Sequence, residues 1–418
     1  MATAVWRILR FLMTNSRVAR LIPNPETFPL AKRLKRMSLD RLVLTLCAVS
    51  LSVACGGAPI KPTEPPAHIT TEERIVTEHE VTTARELTAK AERALLGQQW
   101  EEAAAALSLL LSAEPASPKA PEWLMNLAMA YERLEQRDKA RATVQKVYEQ
   151  FPNAPQARPA LLRAATLHAY LEEWPALEAI GDKILARPDV DDVDRIMGLG
   201  ARGLGRVEQG RDLQASPDIL DGLDLSDRTH YSVGNVLPVA VAQLRFGLAE
   251  MRKTQSERIK FVPVPDDLMD KLERRSLLLL QAQSSYTDTV RSVDPHWAAM
   301  AGYRVGEMYR NYHRDLADIP APSEAKTQKQ KEIFYAFMHI RYRNLLLKGI
   351  AQLDQTLALG ERIGDKSAWI DRAKTAKNEM EKALEEEKAT IAKFPFKEEH
   401  VQKALEEILA REQKKKHP

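Results

Sequence analysis

Four short stretches of this sequence carry side chains that could do chemistry. Cys55 ends the apolar run over residues 42–54 and precedes Gly56-Gly57, and its thiol is a nucleophile that could be covalently modified. Gly198, Gly200 and Gly203 have the spacing of a phosphate-cradling dinucleotide turn. His313-Arg314-Asp315-Leu316 reads like the start of a phosphoryl-transfer loop, and Ser323 stands three residues before Lys326 as a nucleophile stands before its base.

Three of these stretches lack the partners their chemistry needs. A dinucleotide turn requires a strand before it, a helix opening at it and an acidic residue about 20 positions later. A helical pattern precedes Gly198 instead, and close helix packing is the simpler use of the three glycines. Pro320 occupies the place of the metal-binding asparagine that should follow Asp315, and no Gly-rich loop accompanies it, so the stretch is expected on a helix surface. Ser323 lacks the companion motifs of a serine acyl-enzyme and is expected to cap a helix start.

No His-Glu-x-x-His pair occurs among the nine histidines, so a zinc site has no support, and no metal, cofactor or small-molecule substrate is expected. The acidic groups Glu101-Glu102, Glu172-Glu173 and Glu385-Glu386-Glu387 lie in helical patterns. They are expected to be solvated faces. The reading is of a chain that is not an enzyme.

Residues 42–54 are too few for a spanning helix of about 20 residues but suit a signal-peptide hydrophobic region. Lys32, Arg33, Lys35, Arg36 and Arg41 supply the basic flank. Ser52-Val53-Ala54 before Cys55 resemble the bacterial lipobox, although Ser52 stands where leucine is usual and Leu51 lies one place further out. The resemblance implies cleavage before Cys55, with a covalent diacylglycerol and an acyl chain on that residue. A plain secretory signal, or a core helix ending in an ordinary cysteine, are the other readings of the same run. Met37 precedes the leader, so residues 1–36 are expected to be an upstream extension and 37–54 the signal. Residues 55–82, with Pro59, Pro62, Pro65 and Pro66, read as the acylated cysteine and a disordered tether.

The leader also carries much of the positive charge. Residues 1–54 hold nine of the 61 Lys and Arg but only two of the 58 acids, so the remainder is mildly acidic and no nucleic-acid partner is implied. Cys47 leaves with the signal, and an acylated Cys55 leaves no thiol for a disulfide. The folded part must stand on packing.

From Thr83 onward Ala, Leu, Glu, Lys and Arg dominate without hairpin or strand signals, which points to an all-α chain. Ala103, Ala140 and Ala176 each stand twelve residues before a proline, at Pro115, Pro152 and Pro188. The pattern resembles the tetratricopeptide repeat, a helix-turn-helix unit. Leu127, Ala128, Tyr131, Ala140 and Pro152 occupy five of its signature positions in the second copy. Helices are expected near 84–97, 101–113, 120–135, 138–150, 157–171 and 174–186, with a degenerate fourth unit at 191–224. The repeats fill 83–225 on this reading. Residues 226–363 continue as helical, degenerate repeats with helices near 232–257, 264–292, 295–317 and 325–363. Residues 364–418 form a charged helical C-terminal segment with helices near 366–393 and 397–414. The expected fold is an all-α, tetratricopeptide-like solenoid that runs into a long-helix C-terminal half.

Such hairpins act by contact, and Trp123, Trp174, Trp297 and Tyr309 are the candidate partner surface, although helical spacing favours packing between repeats. The block from Asp294 to Tyr309, with Trp297 and Val305-Gly306 at repeat-like spacing and Pro320 and Pro322 closing it, is similar to envelope repeat proteins of myxobacteria. These include the lipoprotein of the adventurous gliding machinery. The resemblance implies an outer-membrane, lipid-anchored, periplasm-facing scaffold whose partners are other envelope proteins. Two further readings are a repeat lipoprotein that assists outer-membrane protein assembly or envelope division, and a cell-wall-active enzyme.

Overall fold

The structure, a computed structural model, describes residues 84–232, 237–292, 294–323, 325–365 and 367–394. Those residues form four successive hairpins and then longer helices. The hairpins are α1 (Ala84–Leu96) with α2 (Trp100–Ala113), α3 (Ala120–Arg133) with α4 (Arg137–Gln150), α5 (Ala157–Tyr170) with α6 (Trp174–Leu185), and α7 (Asp192–Glu208) with α8 (Asp212–Arg228). The longer helices are α9 (Val239–Glu257), α10 (Leu268–Thr289), α11 (Pro295–Ala317), α12 (Gln328–Ile363) and α13 (Ala368–Ala392).

One turn geometry makes all four hairpins. Gln98, Glu135, Glu172 and Gly210 have φ of 55°, 59°, 58° and 76°. The amide after each reaches back five residues: Gln99 to the Ala94 carbonyl at 2.8 Å, Gln136 to Tyr131 at 2.8 Å, Glu173 to His168 at 2.9 Å and Arg211 to Arg206 at 2.9 Å. A left-handed residue with this backward bond satisfies carbonyls that the helix end would leave open. The proline punctuation sits outside the helices, with Pro115, Pro152 and Pro188 exposed just beyond the ends of α2, α4 and α6. Proline cannot extend those helices, so each hairpin stops where the next must begin.

Every helix packs on the next one in sequence, and alternate helices also touch, α5 on α7, α7 on α9, α9 on α11 and α11 on α13. That is the layout of a solenoid, in which a hairpin buries its apolar stripe only against its neighbours. The described residues are an all-α, tetratricopeptide-like solenoid, and among them the strand-like pairing is a single bridge between Leu237 and Ser292.

Small residues set the spacing in the first half. Ala103 and Ala140 are 0% exposed and Ala128 1%. At α6 and α7 the contact tightens further, because Gly181, Gly198 and Gly205 let the two backbones meet, and a Cβ on Gly198 would lie 2.9 Å from Leu185 Cγ. Gly203 faces α8 in the same way, its missing Cβ lying 2.7 Å from Ile219 Cδ1. The glycine triplet therefore packs helices inside α7, where no strand precedes it.

The second half is built on bulk. Trp297, Phe246 and Tyr286 are 0% exposed, with Phe246 edge-on to both Tyr286 and Trp297 at centroid distances of 5.5 and 5.6 Å. Helix α12 opens with a capping box, in which Thr327 Oγ1 accepts from the Gln330 amide and the Gln330 side chain accepts from the Thr327 amide. The cap is thus Thr327 and not the expected Ser323, because only Thr327 has a glutamine three residues later to close the box.

Candidate interaction groove

A groove of about 340 Å³ opens between the second helices of the first two hairpins. Leu111 and Ser112 of α2 form one wall, Lys146 of α4 and Phe151 beyond it the other, and Leu127 and Tyr131 of α3 the floor. The repeat pattern creates it, since α3 packs between α2 and α4 and leaves their outer edges apart. Tyr131 is half-buried there, with the Lys139 ammonium 5.5 Å from its ring centroid. Lys146 is exposed and makes no ion pair among the described residues. A largely polar lining with a few apolar side chains and one free cation suits a peptide segment better than a reacting small molecule.

The groove gathers Pro115, Leu127 and Tyr131 from the expected signature residues. Ala103, Ala128 and Ala140 lie beneath, in the core. The third copy has a different register: counted from the left-handed turn residue, Ala103 and Ala140 correspond to Leu177, 0% exposed, and to Ala215 in the fourth hairpin. Ala176 is one place early and only half-buried, because the turn bond at Glu173 fixes where α6 starts.

Three of the four aromatics expected at a partner surface are interior. Trp123 is 7% exposed, Trp297 0% and Tyr309 3%. Large rings on helix faces that meet the next hairpin gain more from burial than from water. Trp174 is half-buried and packs against the same core. Cys55, residues 1–83 and the expected helix near 397–414 lie outside the described residues. No described helix is long and apolar enough to cross a membrane.

The main feature that sequence reading missed is a charged cluster inside the junction of α7, α9, α10 and α11. Arg304 lies 3.0 Å from Glu250 and 2.9 Å from Glu307, with Glu208 at 3.8 Å. Lys253 lies 3.3 Å from Glu250 and 3.5 Å from Glu307, and the Tyr286 hydroxyl donates to Glu250 at 2.6 Å. Three carboxylates share two cations. Burial, and then the neighbouring Glu250 charge, push Glu208 up to about 7 against the pull of Arg304 and Lys253. The cluster cross-links four helices, so it fixes how the repeats meet the long helices.

Of two expected surface stretches, Glu385, Glu386 and Arg314 are exposed, but Glu387 and His313 are interior. Glu387 is 6% exposed and accepts from His339 Nδ1 at 2.9 Å, with His313 Nε2 at 3.5 Å. Burial alone would raise its pKa, but bonds from His313 and His339 hold it down to about 2. Asp315 pairs with the buried Arg275 at 2.5 Å. His313 and Asp315 are therefore packing residues, placed by contacts with α13 and α10 that no local motif reveals. Among the described residues no three His, Cys, Asp or Glu side chains are grouped so as to hold a metal ion.

No protein-family model matches this chain, and no curated protein matches it. Among solved structures it is similar to a tetratricopeptide repeat protein from Parabacteroides merdae, at 15% identity over 69% of this chain and 98% of that one, with a TM-score of 0.36.

Proposed function

We propose that this chain is a non-catalytic scaffold that holds other proteins in an outer-membrane complex, anchored through an acylated Cys55, and that the complex is gliding-motility machinery. The observation that carries the scaffold reading is the groove between α2 and α4, an accessible, largely polar concavity on a repeat framework. The interior histidines, acids and arginines are engaged in packing and ion pairs. The anchor and the gliding role rest on the lipobox-like leader and on the resemblance of the block from Asp294 to Tyr309.

Substitution of the groove rim by Ser112→Arg with Lys146→Glu changes exposed side chains only. It is expected to strip envelope proteins from the purified full chain without moving its melting temperature. Retention of every partner would refute the groove as the binding site. Cys55→Ala should release the protein from the outer-membrane fraction or leave it unprocessed, since stable anchoring takes more than one acyl chain. In cells carrying the groove substitution, loss of gliding with normal porin levels supports the motility role. Falling porin levels with intact gliding would assign the scaffold to outer-membrane protein assembly instead.

A further inference from the structure

The connection between α9 and α10 is fastened at one point and open beside it. Phe261 is 2% exposed, with the Arg275 guanidinium 4.8 Å from its ring centroid. Arg275 also donates to the Ile259 carbonyl at 3.0 Å and to Asp315 at 2.5 Å. This fastening turns the next residues outward, leaving Val262 53% and Val264 38% exposed. Pro263 and Pro265 alternate with the valines and restrict the backbone, so the loop keeps its shape without a ladder of hydrogen bonds.

Between this loop and the start of α10 lies a pocket of about 580 Å³. Two of its cations are engaged, Arg258 with Asp212 at 2.8 Å and Lys271 with Asp267 at 3.2 Å. Lys260 and Arg274 are exposed and form no ion pair among the described residues. An apolar strip on a fixed frame, flanked by two unpaired cations, is what a partner supplying carboxylates and an apolar side chain would complete.

We propose that this pocket docks an acidic, extended segment of a partner protein, with an apolar side chain against Val262 and Val264 and carboxylates against Lys260 and Arg274. The pocket is separate from the α2–α4 groove, so the scaffold would hold two partners. Concavity speaks against a bilayer, which presents a flat surface. Asp267 and Asp270, which line the pocket with the cations, and the exposed Asp266 beside it speak against the uniform negative charge of anionic lipid or a phosphate backbone. A peptide can set its carboxylates at selected positions and so avoid those aspartates.

The test uses the full chain and fluorescein-labelled peptides of sequence EVEVEVE, KVKVKVK and ESESESE, read by anisotropy. EVEVEVE is expected to bind saturably, KVKVKVK not to bind, and ESESESE to bind more weakly than EVEVEVE. The pair Lys260→Glu with Arg274→Glu, and separately Val262→Ser with Val264→Ser, should each weaken EVEVEVE binding about tenfold or more. The milder pair Lys260→Gln with Arg274→Gln should weaken it in the same direction. All four positions are exposed, so melting temperatures should not move. Absence of saturable binding, equal binding by the variants, or tighter binding of anionic phospholipid vesicles or of a single-stranded oligonucleotide would overturn the proposal. Loss of partners from the α2–α4 groove would leave these readouts unchanged, which keeps the two sites distinguishable.

Discussion

Gly181 of α6 and Arg202 of α7 approach so closely that a Cβ on the glycine would lie 2.6 Å from the arginine's backbone nitrogen and 2.8 Å from the Gly198 carbonyl oxygen. Gly205 repeats the relationship, with the Trp174 carbonyl oxygen at 2.8 Å and the Glu178 nitrogen at 2.9 Å. The obstacles are backbone atoms, which cannot swing aside as a side chain can. Gly181→Ala must therefore push α6 away from α7, and overpacking of this kind costs about 1–3 kcal/mol. Urea unfolding followed by circular dichroism should show the loss for Gly181→Ala and Gly205→Ala. Gly97, where the same added atom would sit 3.2 Å from the Arg93 carbonyl oxygen, should tolerate alanine better.

Glu135 stands at φ 59° in the turn between α3 and α4, where Gly210 stands in the fourth hairpin. A side chain in the left-handed region costs about 1 kcal/mol relative to glycine, partly offset by the larger entropy glycine loses on folding. Its carboxylate makes no ion pair among the described residues, so nothing else is lost with it. Glu135→Gly is expected to raise the melting temperature, with a gain of up to about 1 kcal/mol. Glu172 has the same φ but pairs with Arg372 at 2.8 Å, so Glu172→Gly should gain less.

Arg304 is the hub of the interior cluster, and removing it leaves Glu208, Glu250 and Glu307 with Lys253 as their remaining cation. Breaking a buried pair from one side costs about 3–5 kcal/mol, because the stranded charge stays desolvated. Arg304→Met should lower the free energy of unfolding by an amount of that order, read as a lower denaturant midpoint. Adding Glu250→Gln should recover part of the loss. Denaturation of the two single variants and the double variant measures the coupling directly, and strict additivity would show that the cluster does not act as a unit.

Periodicity made the repeats legible because each hairpin buries small residues at fixed places, and Ala103, Ala128 and Ala140 lie where that logic puts them. It misplaced the third copy by one residue, since Ala176 and Leu177 both suit a helix and only the turn bond at Glu173 separates them. The interior ion pairs were hidden for a different reason. Glu250 and Arg304 are 54 positions apart in sequence, and a charged residue paired inside a junction has the same local pattern as one in water. Trp297 and Tyr309 were open to both readings, and the decision came from α12 and α13 covering α11. The helix expected near 264–292 begins only at Leu268, and the exposed valines of the loop before it emerge only from the fold.

Buried groups of opposite sign set the pH dependence of stability. His296 is 4% exposed and neither ring nitrogen has a hydrogen-bond partner; burial, with the Arg137 and Arg372 charges, lowers its pKa to about 3. Below the ordinary histidine value of 6.5 the unfolded chain binds a proton that the folded chain refuses, so stability falls as pH drops from 6.5 towards 3. The slope is about 1.4 kcal/mol per pH unit for one such group. Glu208, raised to about 7, acts in the opposite sense. Between 4.5 and 7 the folded chain holds a proton that the unfolded chain has released, so this group stabilises the fold as pH drops through that window. Glu387, held down to about 2, adds a loss of stability below 4.5. Burial also lowers the pKa of His168, which therefore acts with His296. Between pH 6.5 and 4.5 Glu208 thus offsets only part of the loss from the two histidines, and below 4.5 Glu387 steepens the fall. His296→Phe keeps an aromatic ring beside Tyr170, whose centroid is 4.4 Å away, and removes the proton uptake. It should make the loss of stability on acidification from pH 6.5 to 4.5 shallower, because only His168 then opposes Glu208. Glu208→Gln should instead steepen that loss. Urea midpoints at half-unit pH intervals test both, and parallel curves for the two variants would contradict the assignment.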